Sequence, residues 1–266
     1  MLKFCSLYSG SSGNSLFVQT DKTKIIIDAG VSCKKIVNSL EELEIEPSSI
    51  DGILVTHEHT DHVQSIATLS NKFQLPVFVN KQTLDAMPKQ KDKLNMDNIH
   101  IFKSFDAFEI NDLKIKPFKI PHDAANPCGF NIYADNKKIS IATDMGHISK
   151  EVMKHLEDSI FVLLESNYDP EVLMCAPYPY SLKTRIASPT GHLPNEIAGE
   201  TISHLLNSGL KQAVLGHLSK NSNMPELAYS TVIEKLNENN CNLDNFGLSV
   251  ANRDCPSKII SIWFFI

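Results

Sequence analysis

No stretch of this chain approaches the roughly 20 apolar residues that a membrane span requires, although 42% of its 266 residues are hydrophobic. The opening segment, MLKFCSLYSGSSGNS, has no long apolar run followed by a small-residue cleavage site, so it does not read as a secretory leader. Cysteine is sparse and scattered. The six thiols, at positions 5, 33, 128, 175, 241 and 255, make no CxxC pair, which excludes a cysteine zinc knuckle and a disulfide framework and leaves ordinary buried thiols. Basic residues are in the minority, 25 against 31 acidic ones, for a net charge of −6. That balance argues against a long basic groove for non-specific nucleic-acid binding. It does not exclude a nucleic-acid substrate, because bound divalent cations place positive charge where a phosphate must approach. No repeat, low-complexity tract or linker is visible, so one domain spanning 1–266 is expected. The chain reads as a soluble, cytoplasmic protein with no membrane partner, and its oligomeric state is not legible.

The first half reads as short β-rich runs separated by turns. Lys3–Tyr8, Leu16–Thr20 and Lys24–Asp28 are strands, and Ser32–Leu43 has helical spacing at Ile36, Val37, Leu40 and Leu43, with Pro47 beyond it. Asp51–Thr56 is a buried strand, Val63–Leu69 opens a helix, and Pro76–Asn80 is a further strand. Strands dominate from Ile99 to Thr143, with turns at SFDA, IND and DNKK and a hairpin at ADNKKIS. The second half alternates: a helix at Lys150–Leu156, a strand at Ile160–Glu165, a helix at Asn195–Asn207, a strand at Gln212–Leu215 and a helix at Pro225–Leu236. Strands followed by alternating strands and helices predict two packed sheets with helices outside.

The segment LVTHEHTDHV concentrates four metal-competent side chains, His57, His59, Asp61 and His62, directly after an apolar β run. A tight loop there can turn His57 and His59 toward one point and Asp61 and His62 toward an adjacent one. Imidazole and carboxylate suit zinc, manganese or iron. A solvated polar loop is the bland alternative, but such loops seldom pack this ligand density behind a buried strand. His122 after LKIKPFKIP, Asp144 after KKISIAT and His217 after QAVLG each end an apolar strand, where loops gather into sites. His100, His155 and His204 have no such context and read as surface or satisfied core residues.

With IIIDAG, THEHTDH, IPHDA, ATDMG and LGHLS in this order, the chain resembles the metallo-β-lactamase superfamily over nearly its whole length. The resemblance implies an α/β chain folded as a four-layer αβ/βα sandwich. It implies two divalent metal ions (Zn, Mn or Fe), one held by His57, His59 and His122, the other by Asp61, His62 and His217, with Asp144 bridging. SGSSGNS, LLESNYD, GHLPNEIA and LGHLSKNSN are similar to the WalJ/YycJ-like branch, which is associated with exonuclease-like phosphodiester hydrolysis. Two positions depart from that pattern: Tyr168 stands where His is expected, and Pro194 where Ser is expected.

The resemblance points to a metal-dependent phosphodiester hydrolase acting on nucleic acid (DNA or RNA) as an exonuclease, through a bridging metal hydroxide. Asp61 is then both ligand and catalytic residue. His192, just before the helix that begins at Asn195, lies where related phosphodiesterases place a His near the leaving group, and an imidazolium there can protonate a departing alkoxide. Its structural alternative is a capping or core histidine. The GSSGNS loop, with Ser12, Gly13 and Asn14, offers backbone N–H groups to a phosphate and reads equally well as a tight β-turn. Asn195 joins it as a substrate-contact candidate. Asp28 is expected to bond the ligand loop, not a metal. The alternatives are a hydrolase of a carboxyl derivative (thioester, lactone or β-lactam), a small-molecule phosphodiesterase, a redox di-iron protein, and a regulatory module that kept the fold. His59, where a carboxylate would suit iron better, and the absence of a flavin-binding segment disfavour the third, and the full ligand set disfavours the fourth.

Overall fold

Runs such as KIII and GIL, β-branched and bounded by turn residues, assemble into sheets in the computed structural model, which describes residues 1–135 and 137–262. The chain forms two units, one made of Met1–Pro117, Ala124–Cys128 and the stretch from Asn252, the other of Phe118–Asp123 and Gly129–Ala251. In chain order the first contributes β1 (Leu2–Tyr8), β2 (Ser15–Gln19), β3 (Lys24–Ile27), β4 (Gly52–Leu54), β5 (Val77–Asn80), β6 (Ile99–Phe102), β7 (Phe108–Ile110) and most of β8 (Leu113–Lys119). The second is built on β9 (Cys128–Ala134), β10 (Lys137–Ala142), β11 (Phe161–Glu165), β12 (Gln212–Gly216) and β13 (Gly247–Val250). A last strand, β14 (Ile260–Ile262), returns to the first unit beside β1.

The first unit's sheet has the order β14-β1-β2-β3-β4-β5-β6. β1, β2 and β3 pair antiparallel, and β3 to β6 run parallel. Helix α1 (Cys33–Glu42) starts where the Ser32 side chain accepts from the Lys35 amide, and it buries Ile36 and Leu40. These pack with Phe17, Ile26, Ile53 and Val77 of the sheet, each worth about 1.5–3 kcal/mol when taken fully from water. The expected helix from Val63 is two pieces, α2 (Thr60–Val63) and α3 (Ile66–Phe73). Two short helices follow β5, α4 (Lys81–Ala86) and α5 (Pro88–Lys91). β4 ends at Leu54, two residues before the expected Thr56, because Thr56 turns its amide and hydroxyl to the Asp28 carboxylate.

In the second unit β9 and β10 form an antiparallel hairpin with Ala134 opposite Lys137; Asn136 of the expected DNKK turn lies outside the described residues. β10, β11, β12 and β13 are parallel neighbours. Phe118, Val162, Leu164 and Leu215 share a core with Leu205 and Val232. The helices are α6 (Lys150–Leu156), α7 (Pro170–Cys175), α8 (Tyr180–Ile186), α9 (Asn195–Asn207) and α10 (Pro225–Glu238). α7 and α8 were not expected. Pro170 is the first helical residue of α7, and the Asp169 carboxylate caps the amides of Glu171 and Val172. All six cysteines are free; Cys5 and Cys128 are buried, but Cys175 and Cys255 are exposed, which corrects the expectation of buried thiols. Among the described residues no helix is long and apolar enough to cross a membrane.

One close approach in the first unit fixes a glycine. A Cβ on Gly30 would lie 1.6 Å from the Asp61 carbonyl oxygen and 2.7 Å from the Asn14 amide nitrogen. Gly30→Ala is therefore expected to cost about 1–3 kcal/mol, the usual penalty of overpacking, and to lower the melting temperature. Gly247→Ala, whose added Cβ would meet only the Gln212 side chain at 3.5 Å or more, is expected to melt with wild type. Thermal unfolding of the two variants checks this, and equal melting would remove the Gly30 constraint.

Candidate metal centre

The histidine-rich loop of the first unit is built on the ends of β3 and β4. Asp28, one residue past β3, is buried and left-handed at φ 62°. Its Oδ1 accepts from the Thr56 amide at 2.9 Å, and its Oδ2 accepts from the Thr56 hydroxyl at 2.7 Å and lies 2.7 Å from His62 Nδ1. Thr56 Oγ1 also lies 3.0 Å from His57 Nδ1. The ring of His57 sits 4.6 Å from that of His59 and 4.2 Å from that of His62, at 79° and 45°, so the rings meet at angles and do not stack flat. Asp61 keeps its side chain 27% exposed, with Oδ2 3.6 Å from His62 Nε2. Glu58, between His57 and His59, accepts from the Ala125 amide at 2.7 Å and ties the loop down.

The GSSGNS loop braces this arrangement. The Gly13 amide donates to the Gly10 carbonyl, the Gly10 amide to Asn14 Oδ1 and the Asn14 amide to the Asp61 carbonyl, at 2.9, 2.9 and 2.8 Å. Those three amides are thus engaged within the protein in a closed turn. Asn14 Nδ2 lies 3.0 Å from His62 Nε2 and 3.5 Å from Asp61 Oδ2. Ser12 is exposed, whereas Gly13 and Asn14 are buried.

In the second unit three neighbouring parallel strands deliver three acceptors or ligands to one end. Asp144 lies two residues past β10, Glu165 is the last residue of β11, and His217 follows β12. Leu164 is in register with Ala142 and with Leu215, so the three ends are level. Asp144 and His217 are left-handed at φ 60° and 55°, a conformation that costs of order 1–3 kcal/mol and persists where the surroundings enforce it. Donor atoms of Asp144, Glu165, His192 and His217 all lie within 4.8 Å of one another. His122 Nε2 is 3.8 Å from Asp144 Oδ1, and its Nδ1 is 3.1 Å from the Gly191 carbonyl.

Glu165 was not singled out in the sequence. It is fully buried and lies 2.7 Å from His192 Nδ1 and 2.9 Å from His217 Nδ1, and it accepts from the amides of Met145 and Leu193 at 2.7 and 3.3 Å. Burial alone would push its pKa up, but the His192 and His217 imidazoles hold it below the usual carboxylate range. The signal was available: a carboxylate closing the apolar run FVLL has the position that marks Asp144 and His217. His192 is 15% exposed in its side chain, and its Nδ1 is committed to Glu165. Asn195 is fully buried, accepting from Ser166 and Asn223 at 2.6 and 2.8 Å. The two unusual residues are neighbours: Tyr168 and Pro194 form an isolated parallel bridge, and the Asn195 amide donates to the Tyr168 carbonyl at 3.0 Å. Pro194 leaves α9 without a side-chain cap, which Ser would supply. Of the histidines without ligand context, His100 and His155 stack on Phe78 and Phe118, and His204 pairs with Glu157.

An imidazole held at Nδ1 by a carboxylate, a hydroxyl or a carbonyl is the usual support for a metal-ligating histidine, which then coordinates through Nε2. His62, His217, His57 and His122 each have such a partner, and Asp61 and Asp144 add carboxylate oxygens. This donor set fits divalent metal ions.

The family described as β-lactamase superfamily domain matches residues 23–218. The chain is 37% identical over 236 residues to the exodeoxyribonuclease WalJ of Streptococcus pneumoniae, covering 88% of each chain. It is 35% identical over 259 residues to the exodeoxyribonuclease YycJ of Bacillus anthracis, covering 97% of this chain and 98% of that one. Among solved structures, the metallo-β-lactamase fold protein YhfI of Bacillus subtilis matches with a TM-score of 0.73 at 15% identity, over 96% of this chain and 98% of the other. That likeness shows a shared fold, and the mixed α/β class expected from the sequence is the one found.

Glu165→Gln replaces a saturated acceptor with an amide that must turn a donor toward one of its four partners. Metal affinity is expected to fall about 10–100-fold, the usual cost of losing a ligand's support, and stability by about 1–3 kcal/mol. Metal titration and thermal melting of the variant check this. Wild-type affinity would show that Glu165 does not position the imidazoles.

Proposed function

The chain belongs to the β-lactamase superfamily, and from that premise we propose that it is a metal-dependent exonuclease that hydrolyses phosphodiester bonds in nucleic acid. Two relatives that align with most of the chain are named exodeoxyribonucleases, which favours DNA over RNA. The observation that carries the reading is His192, a partly exposed imidazole fixed at 2.7 Å on a buried carboxylate in the same cluster as Asp144 and His217. Hydrolysis of a phosphodiester with an alkoxide leaving group needs such an acid, whereas a β-lactam or thioester needs it less.

The proposed ligands are His57, His59 and His122 for one ion and Asp61, His62 and His217 for a second, with Asp144 shared; zinc, manganese and iron are the candidate metals. Such ions, when bound, activate water and offset the charge that develops on the phosphoryl oxygens. The protein's own groups do the rest. Glu165 accepts at His192 Nδ1, so Nε2 is the atom that carries a proton toward the leaving oxygen. Asp61, partly exposed and beside His62, orients the attacking water as well as serving as a ligand. The exposed Ser12 and the loop through Gly13 and Asn14 face the substrate side in this reading, and Asn195 holds the start of α9 behind His192.

The direct test is a panel of single-stranded DNA, single-stranded RNA and a thioester, each incubated with zinc-, manganese- or iron-loaded protein. Stepwise release of mononucleotides from DNA is expected, and cleavage of the thioester alone would overturn the proposal. Two variants separate acid catalysis from metal binding. His192→Ala is expected to retain full metal content and lose about 10²–10⁴-fold in turnover on DNA, with a smaller loss on a nitrophenyl phosphodiester, whose leaving group needs no proton. Asp61→Ala is expected to lose metal and activity on both substrates while keeping a wild-type circular dichroism spectrum. Equal losses on the two substrates for His192→Ala, or a drop in its metal content, would remove it as the acid.

A further inference from the structure

Arg185, in the last turn of α8, donates from Nε and Nη2 to the two carboxylate oxygens of Asp123, at 2.6 and 3.0 Å. Ion pairs at partly exposed sites contribute little to stability on average. This one is set apart by what it is fastened to. Asp123 follows the candidate ligand His122, and the oxygen that accepts from Arg185 Nη2, Oδ1, lies 3.5 Å from His122 Nε2. One carboxylate oxygen thus separates the guanidinium from the nitrogen that would take a metal. The turn between α8 and α9 holds the same residues from the other side. The Thr190 carbonyl accepts from the Asp123 amide at 3.1 Å, the Gly191 carbonyl lies 3.1 Å from His122 Nδ1, and the His192 amide donates to the Ile186 carbonyl at 2.8 Å. Gly191 is required there, because a Cβ would lie 2.2 Å from the Arg185 carbonyl oxygen. Arg185 is therefore placed relative to His122 and His192 together.

The chemistry of the pair decides the class of ligand. The chain carries its positive charge almost wholly on lysine, with arginine at only two positions, Arg185 and Arg253. A planar guanidinium has donors on more than one edge. It can grip a carboxylate along one edge and a phosphate along another, which the point charge of an ammonium cannot do. The Arg185 side chain is 49% exposed, so a ligand from solvent can reach it. Because Asp123 already holds the fork, little side-chain freedom is lost when an oxyanion arrives.

We propose that Arg185 binds the substrate phosphate next to the scissile one. The inference rests on the nuclease reading for the identity of the anion. The choice of phosphate follows from the spacing: Asp123 stands between the guanidinium and His122, so Arg185 is set back from the reacting position by one carboxylate. It is a substrate-binding residue, and Asp123 positions it.

The test neutralises one phosphate at a time, with a single methylphosphonate at successive linkages of a short single-stranded DNA. For metal-loaded wild type, neutralising one linkage beside the cleaved one is expected to lower kcat/KM about 10-fold, through KM. Arg185→Gln is expected to show that loss on the fully charged strand and to be indifferent to neutralisation at that linkage, at unchanged metal content. Arg185→Lys, which keeps the charge without the fork, is expected to fall between the two. Lys183→Gln, which removes the same charge from the same helix, is expected to respond like wild type. Binding supplies a readout besides turnover. In the His192→Ala background, followed by fluorescence anisotropy, Arg185→Gln is expected to lower the slope of log affinity against log salt by about 0.7, the share of one phosphate contact on a single strand. If no strand is cleaved but the slope and the linkage preference in binding depend on Arg185, the nuclease reading fails and the phosphate site stands. Three results overturn the phosphate site whatever the nuclease assay shows: a wild-type response of Arg185→Gln at every linkage with an unchanged slope, an equal effect of Lys183→Gln, or loss of bound metal by Arg185→Gln with weakening at all linkages alike.

Discussion

A buried carboxylate hydrogen-bonded to imidazole Nδ1 occurs in each unit, and the candidate centre depends on it. A carboxylate removed from water costs several kcal/mol unless its oxygens are fully engaged. Asp28 is offset by the Thr56 amide, the Thr56 hydroxyl and His62. Glu165 is offset by two imidazoles and two backbone amides. The dependence runs both ways. Each anion needs its rings in place to remain buried, and each ring is held in one orientation by its anion. The coordinating nitrogens therefore owe their positions to groups that do not themselves need to touch a metal.

The backbone makes this possible. Parallel strands end side by side, at about 4.7–4.9 Å spacing, so residues at the end of β11 and one or two positions past β10 and β12 arrive at the same place. Turning the chain sharply there requires the left-handed conformation at Asp28, Asp144 and His217, which Asp tolerates better than most residues and His more readily than bulky ones. The same conformation also occurs away from the site, at Glu44, Gln74 and Phe105 among others. The chain as a whole is acidic, so the overall field of the molecule does not draw a polyanion.

Much of this was legible because the candidate ligands announce themselves by context. HEHTDH packs four donors behind an apolar run, and Asp144 and His217 close apolar runs of their own; the structure gathers Asp144 with His217 and packs the rings of His57, His59 and His62 together. Glu165 obeyed the same rule and was passed over, because a glutamate before SNYD also reads as the start of a turn. Its importance lies in tertiary contacts with residues 27 and 52 positions away, which periodicity does not encode. Strong β runs and the long helices at Asn195 and Pro225 were predictable from pattern. α7 and α8 were hidden by prolines that start helices as readily as they break them, and the short strands β13 and β14 had too few residues to show a period.

The central claim is that the imidazoles held at Nδ1 by a carboxylate, a hydroxyl or a carbonyl form a metal centre. Titrating metal-stripped protein with zinc and with manganese, followed by calorimetry and by thermal melting, tests it most directly. The account predicts saturation at two ions per chain, a melting temperature that rises with metal concentration as native-state binding requires, and loss of that rise in His57→Ala. Absence of saturable binding, or binding and stabilisation undiminished in His57→Ala, would contradict it.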